Sequence, residues 1–120
     1  ITVWGTGKVI RDFLYIDDCV NALVMCAAEE SCYGETYNIG NDKPTTFLEL
    51  AKTLTDIANS GTWELVPFSE ERKAQEPGNY YSDITKVKET TGWQPKITLE
   101  KGLYESIEFF KKYKNHYWKN

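Results

Sequence analysis

The sequence predicts an α/β fold. Short β-rich runs alternate with amphipathic helical stretches along the 120 residues, and most of those helical stretches carry their own start and stop signals. No internal repeat or low-complexity tract breaks the alternation.

In order, residues 1–4 (Ile-Thr-Val-Trp) read as a strand and Gly5-Thr6-Gly7 as a turn. Residues 11–16 form a second β-rich run, bounded by Asp17-Asp18. One of those aspartates is expected to cap a helix reaching about Glu29, with Val20, Leu23, Val24 and Ala27 on its core face. Cys19 and Cys26 are seven apart and so share a face, as buried, inert thiols. Residues 36–40 read as a short strand and residues 41–44 as a turn. Thr46-Phe47-Leu48-Glu49 fits a capping box, opening a helix that buries Phe47, Leu50, Ala51, Leu54 and Ile57 and stops at Asn59-Ser60-Gly61. Residues 62–66 alternate like a strand, and residues 67–79 form a polar loop closed by Pro77-Gly78. Asp83 is placed to cap a helix over residues 84–91 that ends at Gly92. Trp93 and Pro95 form a corner expected to pack on the last helix, which Thr98 caps and which presents Leu99, Leu103, Ile107 and Phe110 at core spacing. Three or four short strands are few for a parallel sheet covered on both faces, and the chain opens without methionine. Both features lead us to expect part of a larger enzyme.

Hydrophobic residues make up 41% of the chain and charged residues 27%, a balance that supports a folded core. The net charge of -4 opposes general nucleic-acid binding. A basic end (Lys111, Lys112, Lys114, Lys119) suits the negative pole of a helix C-terminus. Three cysteines without a CxxC spacing, and His116 far from them, argue against zinc or any other metal and for a reducing cytoplasm. No run approaches the ~18 apolar residues of a membrane span.

Several chemistries are absent. Gly5-Thr6-Gly7 fails the dinucleotide fingerprint, because Ile10 stands at the third glycine position and a strand follows. The spacing is not that of a P-loop. No tyrosine is followed four residues later by lysine, so no phenol base of that type exists here, and one histidine in a basic tail is a poor base. No residue is assigned a catalytic role. Arg11 is the residue that chemistry singles out: after a glycine turn, its guanidinium could grip a phosphate through two bonds or pair with Asp12.

Taken together, these segments resemble a family. Gly5-x-Gly7-x-x-x-Arg11-Asp12-Phe13-x-Tyr15-Ile16-Asp17-Asp18, then Tyr37-Asn38-Ile39-Gly40, then Asp83-Ile84-Thr85-Lys86, Gly92-Trp93-x-Pro95 and Leu99-x-x-Gly102-Leu103 follow the landmarks of extended short-chain dehydrogenases that modify nucleotide sugars. The resemblance implies a Rossmann-type parent of which residues 1–120 form the C-terminal, substrate-binding portion, with edge sheet elements and a small lobe. The NAD(P)-binding region with GxxGxxG and Tyr-x-x-x-Lys would lie upstream. NAD(P) is therefore expected in the parent and no cofactor on this stretch, which alone should catalyse nothing.

Carried over residue by residue, the resemblance makes Arg11 the grip on the substrate diphosphate and Phe13 an aromatic wall of the nucleotide pocket. It makes Arg72 a second phosphate ligand, with Lys73 allowed by the spacing, and Glu76 an acid for the ribose. Asp18 and Asp83 match recurrent aspartates that capping suffices to explain. The implied ligand is a UDP-, GDP- or dTDP-sugar and the implied parent an epimerase of the UDP-glucose 4-epimerase type. The start, residues 3–7, also resembles that of GDP-fucose synthase-type reductases, and a 4,6-dehydratase is a further reading. Outside the family, a free-standing nucleotide-binding or interaction module is the rival. Intact members pair as homodimers, and the isolated stretch is expected to self-associate or unfold easily through an open apolar face.

Overall fold

The computed structural model describes residues 1–118, so Lys119 of the basic end lies outside the described residues. Strand β1 (Thr2–Trp4) leads through the glycine turn to strand β2 (Ile10–Arg11) and helix α1 (Ile16–Ala28). A 3-10 turn (Glu30–Cys32), strand β3 (Thr45–Thr46) and helix α2 (Phe47–Ala58) follow. Strand β4 (Glu64–Val66) and helices α3 (Glu70–Gln75), α4 (Thr85–Thr91), α5 (Leu99–Lys112) and α6 (Lys114–Tyr117) complete the order. β1 runs parallel to β4, with Thr2 opposite Glu64 and Trp4 opposite Val66. β2 runs antiparallel to β3, with Ile10 opposite Thr46 and Arg11 opposite Thr45.

The α2 capping box is present in both directions: Glu49 N–H donates to Thr46 Oγ1 at 3.1 Å and Thr46 N–H to Glu49 Oε2 at 2.9 Å. Asn59, in the left-handed region at φ 46°, ends the helix. Asp83 Oδ1 accepts the Thr85 N–H at 2.9 Å at the start of α4, and Gly92 closes it at φ 74°. Thr98 caps α5 through Lys101 N–H, and α5 lies along α2.

The main buried cluster is small: Ala22 from α1, Ile84 and Val87 at α4, and Trp93. Leu14, Met25, Cys26, Tyr37 and Ile39 pack around it. The Trp93 corner therefore packs on α1 and α4, not on the last helix as its sequence position suggested. Asp18 holds it there. The Trp93 indole N–H donates to the Asp18 carbonyl at 3.1 Å, while Asp18 Oδ2 accepts the Lys96 and Ile97 N–H groups at 3.0 and 2.8 Å. Asp18 is thus a buried clasp. α1 starts at Tyr15 with no side-chain cap, so neither aspartate plays the expected capping part.

Three further expectations are corrected. Of the second β-rich run only Arg11 pairs, together with Ile10 just before it, because α1 already begins at Ile16. Residues 36–40 make no strand hydrogen bonds among the described residues. Tyr37 and Ile39 still turn inward in alternation, since strand propensity sets an extended chain but a ladder needs a neighbour. The loop at 67–79 contains α3, capped by Ser69 Oγ from Arg72 N–H.

The expected core face of α1 is also wrong. Val20, Leu23, Val24 and Ala27 are exposed, and Asp18 and Ala22 are buried instead. Cys19 is half-buried, and so is Cys26, whose thiol pKa is pushed up by burial and by a hydrogen bond with Cys32. Phe110 is largely exposed at the end of α5. The chain is correspondingly open. Its radius of gyration is 17.0 Å, where a compact domain of this length has about 14 Å. Its surface of 8724 Å² compares with about 6,700 Å² for a compact chain of this mass.

Four surface carboxylates sit below their usual pKa range: Glu35 through a hydrogen bond from Lys86, Glu49 through the Thr46 N–H, Asp83 through Thr85, and Glu100 through its own N–H and Thr98. A carboxylate with a depressed folded-state pKa adds stability above its unfolded pKa and loses it as the pH falls through the folded one. The melting temperature should therefore drop as the pH falls below about 4, modestly because solvent screens each group. Thermal unfolding followed by circular dichroism at pH 6 and pH 3 checks this; equal melting temperatures contradict it.

Candidate functional site

The glycine turn brings Arg11 to the end of β2, where the short antiparallel pairing with β3 fixes its backbone. Both terminal nitrogens of its guanidinium are tied into the chain. Nη1 donates to the Ile10 carbonyl at 2.8 Å and the Gly78 carbonyl at 2.6 Å, and Nη2 to Glu76 Oε1 at 2.7 Å. The same Glu76 oxygen accepts the Gly78 N–H at 3.1 Å. Asn79 Oδ1 takes the Ile10 N–H at 3.0 Å, so the segment after α3 wraps β2 from both sides of Arg11. Asp12, the alternative partner of Arg11, instead accepts the Ser82 N–H at 2.9 Å. Gly40 is required beside it, because a Cβ there would collide with the Asp12 carboxylate and the Ser82 side chain.

Aromatic rings line this region. The Arg11 guanidinium lies 5.5 Å from the Phe47 ring centre, and Phe47 meets Phe13 edge to face at 5.8 Å. A guanidinium over a ring face gains from the ring quadrupole. Arg72 lies 4.8 Å from the Trp4 ring centre, and Trp4 stacks on Phe68 at 6.4 Å. Trp4, Phe47, Phe68, Arg72 and Glu76 face one open cavity of about 430 Å³.

Of the residues singled out by sequence, Glu76 and Arg72 line this cavity and Arg11 joins it through Glu76. Phe13 lies on the other side of Phe47, where it lines separate hollows with residues 95–99. Lys73 is exposed on α3. Trp4 and Phe68 were not anticipated; the signal for Trp4 was its place directly before the glycine turn. Phe47 was read only as a core residue.

The turn itself offers no phosphate cradle. A Cβ on Gly5 would strike the Phe68 ring, and one on Gly7 would meet Leu48 and Val3. Protein side chains already fill the space that a dinucleotide phosphate would need, and a strand rather than a helix follows. The residues present do not fit NAD(P).

A family model described as GDP-mannose 4,6 dehydratase matches residues 1–106. Among curated relatives, the chain is 37% identical to UDP-glucuronic acid decarboxylase 1 of Arabidopsis thaliana, over 92% of this chain and 24% of the relative. It is 34% identical to an uncharacterized UDP-glucose epimerase of Bacillus subtilis, over 91% of this chain and 34% of the relative. Among solved structures, dTDP-glucose 4,6-dehydratase of Bacillus anthracis in complex with NAD matches 98% of this chain and 36% of its own, with a TM-score of 0.79 and 26% identity. UDP-glucose 4-epimerase of Thermotoga maritima with UDP-glucose matches 93% and 35%, with a TM-score of 0.73 and 31% identity. The chain thus spans about a quarter to a third of the length of these relatives, and its α/β fold is the one they have over that stretch. The family resemblance carried by the sequence motifs is borne out: the chain belongs to the extended short-chain dehydrogenases that act as nucleotide-sugar epimerases and dehydratases.

Proposed function

We propose that this chain is the substrate-gripping part of an NAD(P)-dependent nucleotide-sugar epimerase of the UDP-glucose 4-epimerase type. The observation that carries the reading is the meeting of Arg72 and Glu76 at one aromatic-lined cavity, with Arg11 joined to it through its ion pair with Glu76. Arg11 offers a fork that matches phosphate oxygens, and Arg72 adds a second cation held against Trp4. Glu76 supplies an acceptor for ribose hydroxyls, and Phe13 buttresses Phe47 behind Arg11. Binding energy gained on the diphosphate, remote from the reacting sugar carbon, orients that carbon and excludes water. With no Tyr-x-x-x-Lys pair and no dinucleotide cradle, these 120 residues carry out no hydride-transfer step.

A 4,6-dehydratase is the second reading, favoured by the description of the matching family model. Both readings require the same grip on the diphosphate. Calorimetric titration with UDP, GDP and dTDP tests it: one of them should bind, and Arg11→Gln should weaken that binding at least about tenfold, the loss expected for charge-assisted hydrogen bonds. Equal affinity for Arg11→Gln and the unsubstituted chain refutes the assignment of Arg11.

A further inference from the structure

We propose that Trp4 is a positioning residue for the diphosphate: its indole face fixes the Arg72 guanidinium in place and leaves the N–H groups of that guanidinium for the ligand. The inference rests on the reading of Arg72 as the second phosphate ligand and names the residue that prepares it for that part.

The seat is built from three segments of the chain. β1 and β4 run parallel with Trp4 opposite Val66, and the Gly5 N–H donates to the Val66 carbonyl at 2.7 Å. Trp4 and Phe68 therefore leave the two strand ends side by side, and their rings stack at 6.4 Å. Gly5 makes room for this, since a Cβ there would strike the Phe68 ring. Directly after Phe68, Ser69 Oγ accepts the Arg72 N–H at 3.3 Å. That bond fixes the first turn of α3, from which the Arg72 guanidinium lies over the Trp4 ring, 4.8 Å from its centre.

Stacking and hydrogen bonding use different parts of a guanidinium. The flat cation meets the ring quadrupole through its face, while its five N–H groups point outward in its own plane. Among the described residues the Arg72 side chain makes no hydrogen bond or ion pair, and Glu76, one turn on, pairs with Arg11 instead. Arg11 differs, with three hydrogen bonds inside the chain. Arg72 is exposed, and a long exposed side chain without a seat samples many rotamers that a bound phosphate must freeze out. The Trp4 ring removes part of that cost before the ligand arrives, at the cavity that both residues line.

Inorganic pyrophosphate is the test ligand, because it carries the diphosphate without any base or sugar. Its calorimetric affinity is measured for the unsubstituted chain, Trp4→Phe, Trp4→Leu, Arg72→Gln, and Trp4→Leu combined with Arg72→Gln. Trp4→Leu should weaken binding about threefold, the worth of an exposed cation–ring contact. Trp4→Phe should keep most of the affinity, and Trp4→Leu should change nothing further in the Arg72→Gln background. By NMR relaxation of the ligand-free chain, the Arg72 Nε–H should be ordered and should gain motion in Trp4→Leu. Equal affinity of Trp4→Leu and the unsubstituted chain overturns the inference. So does an equal loss in both backgrounds, because Trp4 would then act without Arg72. In either case the reading of Arg72 survives if Arg72→Gln weakens binding. Should Trp4→Leu fail to fold, the relaxation of the unsubstituted chain decides: an Arg72 Nε–H as mobile as that of a free side chain overturns the inference. Pyrophosphate binding that Arg72→Gln leaves intact, or no binding by the unsubstituted chain, overturns the inference together with the reading beneath it.

Discussion

Trp93→Ala is expected to bring the chain to the edge of unfolding at room temperature. Trp93 is 1% exposed, the largest fully buried side chain in the structure, and it joins α1 to α4 through Ala22, Ile84 and Val87. Truncating a buried tryptophan costs about 3–5 kcal/mol, because the lost apolar transfer and the residual cavity add. Domains are stable by about 5–15 kcal/mol. This one falls at the low end of that range, since its core cluster is small and much of its apolar surface remains in water. Trp93→Phe separates packing from hydrogen bonding: it keeps most of the buried ring but loses the N–H that meets the Asp18 carbonyl, a cost of about 1 kcal/mol. Urea denaturation followed by fluorescence of the remaining tryptophans measures both. A Trp93→Ala variant that unfolds at the same midpoint as the unsubstituted chain would show that the Trp93 cluster is not the core.

Local grammar was legible in the sequence wherever a signal acts within a few residues. The Thr46–Glu49 box, the Asn59 stop, the Gly92 terminus and the Thr98 cap each satisfy backbone groups one turn away, so their meaning does not depend on the rest of the fold. Helix α3 escaped because Glu70, Glu71, Arg72 and Lys73 show no apolar period. Its only signals were Ser69 as cap and two acids in the first turn. Which stripe of α1 faces inward was not decidable from its own residues. Val20, Leu23 and Val24 are the more apolar set, but Trp93 packs with Ala22 on another side. The site followed the same rule. Arg11 stood out by its place after a glycine turn, but its bond to Glu76 spans 65 positions and has no local trace. The Trp4–Arg72 contact is equally distant in sequence.

The Asp18 clasp is a long-range hydrogen-bonded feature that the motifs hid, spanning 78 and 79 positions, and its removal carries the second large effect. Asp18 is 6% exposed, and its carboxylate accepts two backbone N–H groups from residues 96 and 97, with no cationic side chain among its hydrogen-bond partners in the described residues. Asp18→Ala strands both donors at a partly buried corner, at a cost of about 2–4 kcal/mol for two unsatisfied groups. Asp18→Asn keeps an acceptor oxygen and loses only the strength that the charge confers, about 1 kcal/mol. The order of destabilisation should therefore be Ala well above Asn. If the clasp and the indole act as one unit, Asp18→Ala combined with Trp93→Phe should cost less than the sum of the two, because either change alone already loosens the corner. Equal effects of Ala and Asn would mean that water replaces the carboxylate without loss and that Trp93 alone holds the corner. The same corner carries residues 95–99, which wall the hollow beside Phe13. Its loosening should reach the binding region without touching Arg11, and a ligand affinity that falls in Asp18→Ala at a temperature where the variant is still folded would report that coupling.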